Sequence, residues 1–139
     1  MALALALILA AALFALAGIH LYWAFGGRWP GHDEASMVEH VVGRTRGMRA
    51  PSLASGVAVA LALAAGGALV AATLVSTPWD TALKVARWGL FAVFAGRGLA
   101  TYVPPVFRYA EGTPFATLNR RAYGPLCLAI ALGLLILQL

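Results

Sequence analysis

The chain predicts an all-α integral membrane bundle of four helices, and three observations predict it. Hydrophobic residues make up 62% of its 139 residues and charged residues only 11%, against roughly 45–50% and about 25% in ordinary soluble domains. A soluble domain of this size leaves too much area exposed to hide that apolar content. The apolar residues also gather into four runs, each close to the length of about 20 residues that crosses a hydrocarbon core of about 30 Å. Nothing alternates with period two as a barrel would, and a helix satisfies its own backbone polar groups in lipid. The same composition excludes a free cytosolic enzyme, a nucleic-acid-binding module and a disordered tail.

The first run, 2–25, has no formal charge and only His20 as an ionisable group besides tyrosine. It lacks a positive leader and is too long for the core of a signal peptide, so it is expected to stay as a helix. The second run, 53–75, is uncharged; the third, 82–103, includes Lys84, Arg87 and Arg97; the fourth covers 122–139. In the first connection, Val38, Val41 and Val42 fall at helical spacing beside Glu39 and His40, which predicts a short interfacial helix. Pro104-Pro105 stops the third helix. Thr113-Pro114 reads as an N-cap followed by proline at the first helical position. From there the chain is expected to lie in the interface over 114–123 and bend into the membrane near Gly124-Pro125. Residues 1–139 thus form one transmembrane domain.

The net charge is +5, from ten Lys+Arg against five Asp+Glu, and every cation except Lys84 is arginine. Arg28, Arg44, Arg46 and Arg49 follow the first run, while Arg97, Arg108, Arg120 and Arg121 surround the third connection. Only Lys84 and Arg87 belong to the opposite end. The positive-inside bias then places both long connections in the cytoplasm and both termini outside. Arginine-for-lysine usage with abundant alanine associates the chain with a bacterial plasma (inner) membrane. Tyr22, Trp23, Phe25 and Trp29 mark the inner headgroup level, and Trp79 and Trp88 the outer one. Small residues favour close helix contact in lipid. The stripes Gly56-Ala60-Ala64-Ala68-Ala72 and Ala92-Gly96-Ala100 therefore predict an antiparallel pair of the second and third helices, joined by the turn at 76–81.

Polar residues at membrane depth are costly and point to function. His20, Ser55, Arg97, Tyr102, Tyr123 and Cys127 all thread to the cytoplasmic end. His20 is a candidate acid, base or proton relay, against the plainer reading of a neutral histidine bonded to a neighbouring hydroxyl such as Tyr102 or Tyr123. Arg97 either snorkels to lipid phosphate or holds an anionic head group, with Arg120 and Arg121 nearby. Trp23 is the aromatic ligand-binding candidate at the same level. His32-Asp33-Glu34 with Glu39-His40 lacks a metal-ligand spacing, so no metal is expected. A bis-histidine haem would need a second histidine inside a run, so no cofactor is expected either. Gly26-Gly27 reads as a turn. The single Cys127 excludes an internal disulfide and is expected to be a small buried hydrophobe. No carboxylate lies inside a run, which argues against a proton-driven transporter.

Two functional readings stay open. One is a small membrane protein that binds a lipid-like ligand, or a membrane complex, at its cytoplasmic end. The other is an enzyme acting on a lipophilic substrate, with His20 as acid or base, Tyr102 or Tyr123 as proton donor and Arg97 holding a negative group. Expected partners are membrane lipids and a membrane-protein complex or homo-oligomer, and not nucleic acid.

Two blocks carry a resemblance. The first is His20-Leu21-Tyr22-Trp23-Ala24-Phe25-Gly26-Gly27, followed by Trp29-Pro30. The second is Gly112-Thr113-Pro114-Phe115-Ala116, followed by Asn119 and Tyr123-Gly124-Pro125-Leu126-Cys127. Together they resemble the first-helix and fourth-helix signatures of a family of small bacterial membrane proteins, domain of unknown function 3995. The resemblance covers essentially the whole chain. It implies four helices and a membrane location, and it implies no catalytic role for any residue. Asn119 stands where the family's pattern leads one to expect an acid.

Overall fold

A computed structural model describes residues 2–43, 50–76 and 78–139. Among these residues every regular element is helical. The elements are α1 (Ala2–Ala24), α2 (Glu34–Val41), α3 (Leu53–Ala71, extended by a tighter turn over Ala72–Leu74), α4 (Asp80–Ala100), α5 (Pro114–Leu118) and α6 (Gly124–Ile136). A π-helical turn, Asn119–Tyr123, joins α5 to α6. Both α1 and the helix over Leu53–Leu74 are long and apolar enough to cross a membrane. Of the expected cation clusters, Arg44, Arg46 and Arg49 lie outside the described residues, as does Thr77 of the turn at 76–81.

α1 stops where its sequence changes hand. Gly26 takes a φ of 87°, a conformation that costs glycine little. The Gly27 N–H then donates to the Tyr22 carbonyl at 2.8 Å and the Gly26 N–H to the Trp23 carbonyl at 3.1 Å, which is a Schellman closure. The aromatic block seals this turn. The Tyr22 ring lies over Gly27, its hydroxyl accepts from the backbone N–H groups of Arg28 and Trp29, and Trp23 Nε1 donates to the Trp29 carbonyl at 2.6 Å.

The short helix expected in the first connection is present as α2, though its start signal is Asp33 and Ser36, which the valine spacing does not reveal. Asp33 accepts the Ser36 N–H at 2.7 Å, and the Ser36 hydroxyl receives the Asp33 N–H in return. This reciprocal pair satisfies two otherwise orphaned donors. Met37 and Val38 are buried, and Gly43 seats the end of α2 against Ala110 and Phe115 of the third connection.

The long helices pack as two antiparallel pairs, α1 with α3 and α4 with α6, while α3 and α4 touch only lightly. The expected pairing of the second and third helices through their small-residue stripes is therefore not the packing found. Ala92 and Gly96 of α4 are exposed, and so is Ala68 of α3. Glycines off those stripes act instead as notches for large side chains. Gly67 receives Phe14, Gly133 receives Leu9, and Gly98 receives Leu128. A lone small residue opposite a bulky one interlocks better than two small faces with nothing between them. Leu13, Val70 and Leu134 are fully buried where the two pairs meet.

The helical run from α5 to α6 is irregular just before Pro125. Pro125 cannot donate a backbone hydrogen bond, and just before it the chain widens, the Gly124 N–H reaching back to the Asn119 carbonyl. Thr113 holds the N-cap position before Pro114, yet its hydroxyl donates backward to the Ala110 carbonyl at 2.7 Å and does not cap.

Two outcomes follow from this packing. A methyl at Gly124 would meet Thr101 and the Asn119 carbonyl oxygen at 2.8–2.9 Å, whereas one at Gly96 meets nothing. Gly124→Ala should therefore cost about 1–3 kcal/mol, and Gly96→Ala should be neutral or stabilising by up to about 1 kcal/mol, measured by unfolding in detergent. The second concerns the α2 cap. The Ser36 backbone N–H, helped by the Ser36 hydroxyl, holds the Asp33 carboxyl below its ordinary value of 3.8. Its contribution is complete above that pH and is lost as pH falls through the lowered value. Amide exchange in α2 should accelerate over that acidic window relative to the chemical rate, and Asp33→Asn should remove the pH dependence.

Candidate functional site

Antiparallel threading carries the ends of α1, α3, α4 and the third connection to one end of the molecule. A cleft of about 350 Å³ opens there. His20, Trp23 and Ala24 form one wall, Ser55, Gly56 and Val59 of α3 another, and Arg97 lines it from α4. Phe107, Tyr109 and Phe115 bring the third connection across, and Met37, Val41 and Val42 bring α2. Gly56 permits this closeness, because a methyl there would press on Ala24 at 2.8 Å. Among the described residues, no carboxylate lines the cleft.

Arg97 is the most elaborately held side chain at this end. Its Nη1 donates to Thr101 Oγ1 at 2.9 Å and its Nη2 to Asn119 Oδ1 at 2.7 Å. The Phe107 ring covers one face, with Cζ 4.7 Å from the ring centre, a favourable cation–π placement. Asn119 is only 1% exposed, and Thr101 also directs its hydroxyl toward Asn119 Oδ1 at 3.4 Å. Both hydrogen-bond partners of the guanidinium are neutral, so the clasp orients the charge without cancelling it. A neutral acceptor still gives a charged donor a stronger bond than two neutral groups form.

His20 is fixed by its own helix. Nδ1 lies 2.9 Å from the Leu16 carbonyl; a carbonyl only accepts, so Nδ1 carries the proton. In the neutral ring, Nε2 is then an unprotonated acceptor. The Trp23 ring stands edge-on to the imidazole at 5.2 Å between centres. With its N–H committed to Trp29, Trp23 offers the cleft an aromatic surface and no donor.

The other sequence candidates are placed differently. Tyr102 is exposed, and its hydroxyl donates to the Arg120 carbonyl at 3.3 Å. Tyr123 packs on Phe115 and donates to the His40 carbonyl at 3.2 Å. Neither tyrosine bonds His20, and neither lines the cleft. The side chains of Arg120 and Arg121 are exposed and stand outside it too. Cys127 is half-buried beside the central core. Among the described residues no group of three or more His, Cys, Asp or Glu side chains is placed to hold a metal ion; Asp33 of the acidic run serves as the α2 cap. Thr101 was findable in the sequence, being four residues from Arg97 on one helix face. Phe107 and Tyr109 carry no such signal.

A family model matches residues 13–134, from within α1 to the last turns of α6. The chain belongs to the family described as Protein of unknown function (DUF3995). No curated protein and no solved structure matches it. Every candidate residue of this DUF3995 chain, from His20 to Tyr123, falls within the matched stretch. Within the matched stretch, Tyr22 and Gly27 close a turn, His20, Phe115 and Asn119 build the cleft or its clasp, and Trp23 does both.

Removing the neutral acceptor tests the clasp. Asn119→Leu leaves an arginine N–H short of a partner, while the Thr101 hydroxyl keeps the Arg97 carbonyl as acceptor, at an expected cost of about 1–3 kcal/mol. Thermal unfolding in detergent should show that loss, and Asn119→Gln should recover less than the parent stability because its longer amide does not fit the same position.

Proposed function

We propose that this is a multi-pass protein of the bacterial inner membrane, with four helices crossing the bilayer and both termini outside, that binds a lipid-like ligand at its cytoplasmic end. The bilayer as solvent accounts for the outer faces of the helices. Ile8 is 65% exposed, Val93 66% and Leu132 58%, a coat that water would not tolerate but lipid favours. The fourth crossing is the run 122–139, to which α6 contributes 13 residues and the turn Asn119–Tyr123 the entry from the interface. The cations Arg28, Arg97, Arg108, Arg120 and Arg121 share the end that carries the cleft, in keeping with positive-inside orientation.

One observation carries the ligand reading. Among the described residues, a cleft with mostly apolar walls contains one oriented guanidinium with no carboxylate beside it and one imidazole acceptor. Few convergent polar groups in an apolar cavity are the usual chemistry of small-molecule recognition. Simple snorkelling would instead send the guanidinium outward, away from Asn119 and Phe107. The test is native mass spectrometry of gently extracted protein. The parent chain should retain a lipid-like adduct, and Val59→Trp, which fills the cleft from its rim, should release it without loss of fold. A clean apo mass for the parent chain counts against the reading.

A second reading is favoured by the bond from His20 to Leu16. An imidazole whose Nδ1 proton is pinned presents Nε2 as a ready proton acceptor, which suits an enzyme acting on a lipophilic substrate. His20→Gln keeps a polar group but cannot take up a proton. On this reading the variant should accumulate an unconverted ligand of different mass in the same measurement. An adduct of unchanged mass favours binding alone.

A further inference from the structure

Resting on the lipid-binding reading, the charge distribution of the cleft goes further and specifies the head group. We infer that the ligand is a single-chain amphiphile ending in one oxyanion, carboxylate or phosphate, held by Arg97.

Three features converge on this. First, arginine has five N–H donors, and the protein takes one on Nη1 and one on Nη2. The remaining donors are available along the edge of a guanidinium whose face is already covered by Phe107. Secondly, the buried acceptor that orients the group is an amide. Asn119 at 1% exposure holds the guanidinium at 2.7 Å, where a carboxylate would form an ion pair and satisfy the charge internally. The positive charge is thereby kept for a partner on a half-buried side chain. An oxyanion meets that demand best, since charge-assisted bonds to arginine are the strong ones. Thirdly, about 350 Å³ lies near the small end of the range of roughly 300–1,000 Å³ for ligand pockets. That suits one apolar chain better than the paired chains of a bulk phospholipid.

Tryptophan quenching reads this directly, because Trp23 lines the cleft. The probes are a terminally brominated alkyl carboxylate, the matching alkyl phosphate and the matching alcohol, titrated into the full chain in phosphatidylcholine nanodiscs. At least one oxyanion should bind the parent chain at least about tenfold more tightly than the alcohol. Arg97→Gln and Asn119→Asp should each bring that ratio toward one; Asn119→Asp leaves the guanidinium in place and supplies an internal counter-charge. Selectivity for carboxylate points to a fatty-acid-like ligand, and selectivity for phosphate to a phosphate monoester. A ratio near one in the parent chain, or one that survives both substitutions, overturns the oxyanion inference. If all three probes bind equally and Val59→Trp blocks them all, the lipid-binding reading stands while the head-group inference falls. If none binds, the lipid-binding reading falls as well.

Discussion

The clasp of Arg97 by Thr101 and Asn119 is the interaction on which the functional end of the molecule depends. It ties α4 to the turn before α6, across 22 residues of chain, and it decides which way the guanidinium points. An arginine near the end of an apolar helix has an easy alternative, which is to extend toward water or phosphate. Here two neutral acceptors and an aromatic face hold it over the cleft. The geometry follows from the backbone. Pro125 removes a donor from the regular helical ladder, the turn widens, and Asn119 is buried facing α4. Gly124 then lets α6 approach Thr101 closely enough for the three side chains to meet.

The cleft is equally a product of the connections. α2 is started by its Asp33–Ser36 box and docked on the third connection through Gly43, Ala110 and Phe115. Those contacts place Met37, Val41 and Val42 as apolar wall, while Tyr123 stitches the start of α6 to the carbonyl of His40. The aromatic residues at this end have separate mechanical duties. Tyr22 and Trp23 lock the turn after α1, Phe107 covers a cation, and Phe115 and Tyr123 fill the seam between the connections.

Helix packing illustrates why a stripe of small residues is a weak guide. Alanine and glycine are so common in this chain that spacing by four arises on faces that meet nothing, as at Ala92 and Gly96. The glycines that matter are those opposite a large side chain, and the identity of the opposite residue depends on register between distant helices. Gly133 with Leu9 and Gly98 with Leu128 set that register; neither pair shares a pattern along the chain.

Local periodicity and composition determined the all-helical class, the position of α1 and α3, the short α2 and the stop of α4 ahead of Pro104-Pro105, because each depends on neighbouring residues alone. They also placed His20 and Arg97 at one end, through the alternation of direction that successive helices impose. Tertiary structure decided which helices pair, that Tyr102, Arg120 and Arg121 stand outside the cleft, and that the partner of His20 is the Leu16 carbonyl and not a tyrosine hydroxyl. These are questions of rotation about a helix axis. A residue's depth along a helix is written in its sequence position, but the direction its side chain faces is chosen by packing against elements many residues away.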